Sequence, residues 1–251
     1  MTCMTARPAR LERGVLVGQS RFSADLLAME VAAPEIAATA LPGQFVHLAV
    51  GAGMLRRPFS VYRAGDGRIE LLYRIKGAGT SRMAAWQPGA EVDLLGPLGV
   101  GFTAARPGER LLLVGGGIGV APLAFFAEAN PGAGAAILGY RPTDREAGAE
   151  RFAAAGYRVV TTTELVTGPL EAYGEPVDRV LTCGPWALMK AVAEFSSRRA
   201  LPCEAALERE MGCGIGACLG CVVETTDPAR PYARVCTEGP VMEAGGVKWS
   251  T

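Results

Sequence analysis

The chain is predicted to be multi-domain: a small antiparallel β-barrel, an α/β parallel-sheet domain, and a small C-terminal module built on cysteines. Three observations carry that prediction. Residues 14–97 are short apolar runs broken by Gly and Pro, the pattern of a small barrel. Residues 108–201 alternate strand-like and helix-like runs, the pattern of a parallel sheet with helices on both faces. Near the C-terminus, Cys213, Cys218, Cys221 and Cys236 follow the spacing C-x4-C-x2-C-x14-C. The first two intervals are those of a plant-type [2Fe–2S] site, in which a tight loop wraps the irons and a last thiolate arrives from elsewhere.

The barrel unit is taken as residues 1–105, with strands at 14–17, 26–32, 44–50, 60–63, 69–75 and 91–95. A short helix is predicted at 80–86, with Thr80 as its N-cap. Two stretches carry chemistry. In Arg56-Arg57-Pro58-Phe59-Ser60, paired guanidinium groups beside a Pro-fixed backbone can hold a diphosphate bidentately, and Ser60 can hydrogen-bond a flavin ring edge. In Leu72-Tyr73-Arg74-Ile75-Lys76-Gly77-Ala78-Gly79-Thr80, a strand runs through a glycine turn into a helix start that offers free N–H groups to phosphate. Alone, an arginine pair is ordinary solvated surface and Gly-x-Gly-Thr an ordinary turn. Together in a barrel-like segment they favour a flavin dinucleotide.

The second unit is taken as residues 106–209. A buried strand at 110–115 enters Gly115-Gly116-Gly117-Ile118-Gly119-Val120-Ala121-Pro122 and then a helix to 129. Further strands are predicted at 136–140, 157–161, 179–183 and 202–208, with helices at 146–155 and 186–199. The glycine run departs from G-x-G-x-x-G at Val120 and Pro122. Strand, glycines and helix N-terminus still make a nucleotide phosphate site. Cys183-Gly184-Pro185 stands at a strand's C-terminal end, where open α/β sheets bind ligands. Cys183 taken alone reads as a small buried hydrophobe, but its place at a strand end before Gly-Pro favours the nucleotide site. Arg141 and Arg145 could bind a 2′-phosphate and Asp144 would repel one, so the sequence leaves NAD and NADP both open.

The third unit is taken as residues 210–251. Its glycines suit a loop that curls round a cluster with its N–H groups aimed at sulfur. A hairpin of 222–225 with 232–235 would deliver Cys236. Structural zinc usually takes two short cysteine pairs, whereas this spacing has one C-x2-C and an x4 interval. Glu208, Arg209 and Glu210 read as a solvated approach to the loop, and 243–251 carries no motif.

Composition narrows the function. Lys plus Arg and Asp plus Glu both number 25, so no nucleic acid or anionic membrane is suggested as a partner. No apolar run reaches the ~20 residues of a membrane span. Arg7, Arg10 and Arg13 precede no apolar stretch of a secretory signal, and the expected location is cytoplasmic. The one histidine, His47, lies in a strand-like alternation and reads as structural. No side-chain catalyst is therefore expected; the chemistry falls to cofactors.

Arg57-Pro58-Phe59-Ser60 resembles the flavin-binding Arg-x-Tyr-Ser motif of the ferredoxin–NADP reductase superfamily, with Phe at the aromatic position. Gly79-Thr80 resembles its second, pyrophosphate-binding turn, and the runs at 115–122 and 182–185 resemble its pyridine-nucleotide motifs. The resemblance implies Arg57 on the pyrophosphate of FAD and Ser60 on its isoalloxazine. It also implies Leu72, Tyr73 and Arg74 beside the flavin, and Cys183 near the nicotinamide of NAD. Unit order, the run Glu208–Cys221 and Val235-Cys236-x-Glu238-Gly239-Pro240-Val241 resemble the electron-transfer subunits of class 1B, NAD-linked dihydroorotate dehydrogenases. That likeness implies FAD, a [2Fe–2S] cluster and an FMN-containing catalytic partner that oxidises dihydroorotate in pyrimidine synthesis. It further implies a heterotetramer of two of each subunit and electron flow from partner FMN through cluster and FAD to NAD+. Bifurcating ferredoxin–NADP oxidoreductases, sulfhydrogenases and oxygenase reductases share the layout with other partners.

Overall fold

The computed structural model describes residues 9–144 and 146–250. Arg7 and Arg145, singled out above, lie outside the described residues.

Six antiparallel strands close the barrel: β1 (Arg10–Arg21), β2 (Leu26–Ala32), β3 (Phe45–Leu48), β4 (Arg57–Gly65), β5 (Arg68–Arg74) and β6 (Glu91–Leu98), in the order β1-β2-β5-β4-β3-β6. Alternation explains which face each residue takes. Along β2, Leu27, Met29 and Val31 enter the barrel core, while Leu26 and Ala28 face outward and join the core shared with the second unit. Along β3, Val46 and Leu48 point in, and Phe45 points out into the core that holds Cys221 and Cys236. β1 is much longer than the predicted 14–17, because its polar flanks pair with both β2 and β6. A short helix, α1 (Pro34–Ala37), closes one end.

The helix at the flavin turn, α2 (Ala78–Ala84), starts earlier than predicted, with Gly77 and not Thr80 at its N-cap. Thr80 sits inside the first turn, where its Oγ1 accepts from the N–H groups of Lys76 (2.9 Å) and Gly77 (3.2 Å). It satisfies free donors of the turn from within the helix.

The second unit is a six-stranded sheet. Its parallel strands are β7 (Arg110–Gly116), β8 (Ala133–Gly139), β9 (Arg158–Thr162), β10 (Arg179–Cys183) and β11 (Cys203–Ala206). Its helices are α3 (Val120–Ala129), α4 (Ala149–Ala154), α5 (Thr167–Glu171) and α6 (Trp186–Arg198). A 3-10 turn at Gly117–Gly119 links β7 to α3. α3 is buried from Val120 to Ala127 and joins two cores: Phe125 packs with the barrel and Phe126 with the sheet.

The third unit carries the hairpin β12 (Val222–Glu224) and β13 (Tyr232–Arg234). The chain then returns to the sheet: β14 (Val241–Glu243) adds antiparallel to β11 at its edge. The cluster loop is thereby anchored at both ends to the nucleotide sheet, by β11 before it and β14 after it.

Candidate flavin, nucleotide and cluster sites

A cleft of about 510 Å³ opens where the three units meet. The barrel contributes Arg57, Pro58, Phe59 and Ser60 from β4, Leu72, Tyr73 and Arg74 from β5, and Gly79 and Thr80 from α2. Ile118 reaches it from the glycine run and Met211 from the cluster loop. Cations stand at the α2 end, where Arg57 and Lys76 line the wall beside Gly77 and Gly79. Apolar Phe45, Phe59 and Leu72 line the remainder. A charged diphosphate end and a flat apolar ring end are what FAD requires, so the lining fits the group.

Two of the β5 side chains that line the cleft are also engaged away from it. The Tyr73 ring is fully buried in the barrel core, and its hydroxyl donates to Gln19 Oε1. Its edge meets Phe59, with ring centroids 6.1 Å apart. The Arg74 guanidinium is held by two carboxylates, Asp25 and Asp144, each at 2.6 Å. Asp144 comes from the second unit, so this pair ties that unit to the barrel. Both carboxyls are held below their ordinary value: for Asp25 the Arg74 hydrogen bond leads, while for Asp144 burial is the largest single effect and pushes up, and the hydrogen bonds of Arg74 and Ser23 with the Arg74 charge together outweigh it. Arg141 meets Asp25 at 3.4 Å. Asp144 is therefore engaged on Arg74 rather than turned toward a ribose.

The nucleotide residues converge at the C-terminal ends of neighbouring strands. In register, Gly115 of β7 lies beside Cys183 of β10. Gly119 approaches so closely that a Cβ on it would lie 2.4 Å from the Cys183 carbonyl oxygen. Gly116 packs near Pro185, and Gly184 near Gly116. Gly115, Gly116, Gly119, Cys183, Gly184 and Pro185 thus form one turn-on-turn contact, while Gly117 stands clear of it and Ile118 faces the cleft. The Cys183 thiol is buried, and burial pushes it well above its ordinary value, with the Glu208 charge adding to the effect.

Glu208, read from sequence as a solvated approach, lines the cleft. The residue stays exposed there; partial desolvation of its carboxyl raises its pKa against the opposing charge of Lys76. Its place just past β11, beside the strand end that carries Cys183, was the signal that could have found it.

In the third unit, the loop from Cys213 to Cys221 brings backbone N–H groups onto sulfur. The N–H groups of Ile215, Cys218 and Ala217 point at Cys213 Sγ, with the Cys218 contact at 3.3 Å, and pull that thiol down to about 6. Cys236 accepts from Gly216 N–H and lies against Cys221, but burial dominates and pushes it up to about 11. Thiols ringed by amide donors fit a thiolate-bound [2Fe–2S] cluster, whose charge such donors stabilise. Among the described residues, no three Cys, His, Asp or Glu side chains converge on a point where one metal ion could sit.

One further side chain reaches this loop: His47. A Cβ on Gly214 would lie 2.8 Å from His47 Cε1. Burial, with the charges of Arg56 and Arg57, lowers the imidazole to about 4, so it is neutral at pH 7.

A closed six-stranded barrel joined to a nucleotide-binding sheet defines the fold of the ferredoxin–NADP reductases, here with a cysteine module appended. A solved NADH-dependent reduced ferredoxin–NADP oxidoreductase, described for flavin-based electron bifurcation, matches with a TM-score of 0.85 at 22% identity. That match covers 94% of this chain and 90% of the other. A ferredoxin–NADP+ reductase from Neisseria gonorrhoeae, solved with bound FAD and NADP, matches with a TM-score of 0.61 at 18% identity, over 76% of this chain and 91% of the other.

Sequence comparison narrows this to a family. The model of the iron–sulfur cluster binding domain of dihydroorotate dehydrogenase B matches residues 208–248. The dihydroorotate dehydrogenase B (NAD(+)) electron transfer subunit of Bacillus caldolyticus is 41% identical over 223 residues, 82% of this chain and 86% of the relative. That of Geobacillus thermodenitrificans is 37% identical over 253 residues, 94% of this chain and 98% of the relative. The chain belongs to the family of dihydroorotate dehydrogenase B (NAD(+)) electron transfer subunits. It is an oxidoreductase subunit that works with FAD, a [2Fe–2S] cluster and NAD(H).

Proposed function

We propose that this chain passes electrons between the FMN of a dihydroorotate-oxidising catalytic subunit and NAD+. One observation carries the proposal: the cluster loop has two faces. Met211 lines the flavin cleft, while Ile215 (56%), Leu219 (59%) and Cys218 are exposed to solvent on the same loop. Together with the half-exposed Val222, these residues give an apolar rim around a ligand thiol, a surface suited to a protein partner. The loop thus bridges a docking face and the flavin cleft.

When bound, the cluster supplies one-electron transfer, the nicotinamide two-electron transfer and FAD the exchange between them. The protein's part is to hold these groups close together. Cys213, Cys218, Cys221 and Cys236 hold the irons. Arg57, Lys76 and the Gly79–Thr80 turn hold the FAD diphosphate, with Pro58, Phe59, Ser60, Leu72 and the main chain at Tyr73 along the ring. Arg74 acts through Asp144 by fixing the second unit to the barrel. The 115–119 run and Cys183-Gly184-Pro185 receive the nicotinamide nucleotide. With Arg141 drawn to Asp25, we take NAD+ rather than NADP+ as acceptor. The units are those bounded at 1–105, 106–209 and 210–251. The assembly is a heterotetramer of two of each subunit, and it works in the cytoplasm, where free thiols persist to bind iron. Among the described residues, no helix is long and apolar enough to cross a membrane.

The test is dihydroorotate-driven reduction of NAD+ and, separately, of NADP+, by the complex purified without oxygen from its own host. Reduction of NAD+ in preference to NADP+ is the expected result. No reduction of either, with iron and flavin signals intact, would assign the chain to a sister complex with another electron donor.

A further inference from the structure

His47 is fully buried, and neither Nδ1 nor Nε2 has a hydrogen-bond partner among the described residues. One of these nitrogens carries a hydrogen in either neutral tautomer, so a buried donor is left over. Buried polar groups are almost always paired, and an unpaired one calls for an explanation.

The surroundings supply one. The side chain leaves the barrel on the outward face of β3, the face of Phe45, whose ring meets it edge-on at 5.8 Å. That face is covered by the third unit. Gly214 lies flat on the imidazole: a Cβ there would be 2.9 Å from Nδ1 and 3.1 Å from Nε2. Gly214 is the residue after the ligand Cys213 and has a φ of 72°, so the loop turns on the ring itself. On its other side, His47 pairs in register with Pro58, which lines the flavin cleft. The imidazole therefore stands between the flavin-bearing strand and the first ligand of the cluster.

We propose that the His47 imidazole donates its N–H to a sulfur of the cluster held by the 213–221 loop, and thereby raises that cluster's reduction potential. The proposal rests on the loop being a [2Fe–2S] site. Four cysteines complete the ligand set, so His47 is a positioning and tuning residue and not a ligand. A donor to sulfur favours the reduced state, which carries the extra negative charge. Removing the donor lowers the potential.

His47 is the only histidine in the chain, which makes a direct test available without mutation. The full chain, loaded with cluster and FAD and labelled with ¹⁵N-histidine, would be reduced and measured by pulsed EPR. A ¹⁵N hyperfine coupling to the reduced cluster is expected. A redox titration of His47→Phe should show about a tenfold shift toward the oxidised cluster, about 59 mV lower for one electron. His47→Gln, which keeps an N–H donor, should recover most of that shift. A normal cluster signal without ¹⁵N coupling, or a wild-type potential in His47→Phe, would overturn the proposal. Absence of any cluster signal from the unmodified chain would instead sink the [2Fe–2S] reading on which it stands.

Discussion

The glycine turn at 115–119 and the cluster loop at 212–220 look alike in sequence but differ in what glycine does there. In the first, glycine mainly removes bulk, although Gly117 also takes a left-handed φ of 58°. Gly119 is buried against the backbone of Cys183, and no side chain fits between them. In the second, glycine supplies handedness. Gly214 and Gly216 have φ values of 72° and 82°, which turn successive N–H groups toward the sulfurs of Cys213 and Cys236. One turn is closed and fixes two strands of a sheet. The other is open and fixes a charged group. Glycine richness in a cofactor site is therefore not a single signal: the first case reports close packing, the second reports backbone donors.

Substitutions can break this contrast. Gly119→Ala should have the larger effect on stability, because the new Cβ would meet the Cys183 carbonyl carbon at 2.5 Å and its oxygen at 2.4 Å, both backbone atoms. A loss of about 3 kcal/mol is expected from overpacking, read as a lower thermal midpoint together with weaker NAD(H) binding. An unchanged midpoint would mean that the two strand ends are not packed as described. Gly214→Ala should cost less, about 1–2 kcal/mol for a left-handed non-glycine residue, and its effect should fall on the cluster. The nearest atoms are those of the His47 ring. Cluster content per chain should drop while the flavin spectrum stays the same. Equal loss of flavin and cluster would show that the two sites are not separable in this way.

Much of the fold was legible because the barrel strands alternate cleanly and the flavin and nucleotide motifs sit at element ends, where short sequence runs fix geometry. The cysteine spacing was legible for the same reason: three of the four lie in one loop. What was missed depends on contacts distant in sequence. β14 has three residues and exists only because β11 offers it an edge. Asp144 was read against a ribose phosphate, but its partner is Arg74, seventy positions earlier in the chain. Alternation put His47 on the outward face of a strand, and only the packing of the third unit shows that this face is covered by the cluster loop. Glu208 is exposed, as its charge suggests; that it also lines the cleft follows from the strand end before it.

The central claim is that this chain joins a partner's flavin to NAD+ by way of the cysteine loop. The most direct measurement uses the intact complex carrying Cys221→Ser, with two activities followed in parallel: NAD+ reduction driven by dihydroorotate, and reduction of the bound FAD by NADH. Cys221 is buried beside Cys236, so its loss should remove the cluster without opening the cleft. The account predicts that the first activity is abolished and the second retained. Dihydroorotate-driven reduction at the wild-type rate would contradict it.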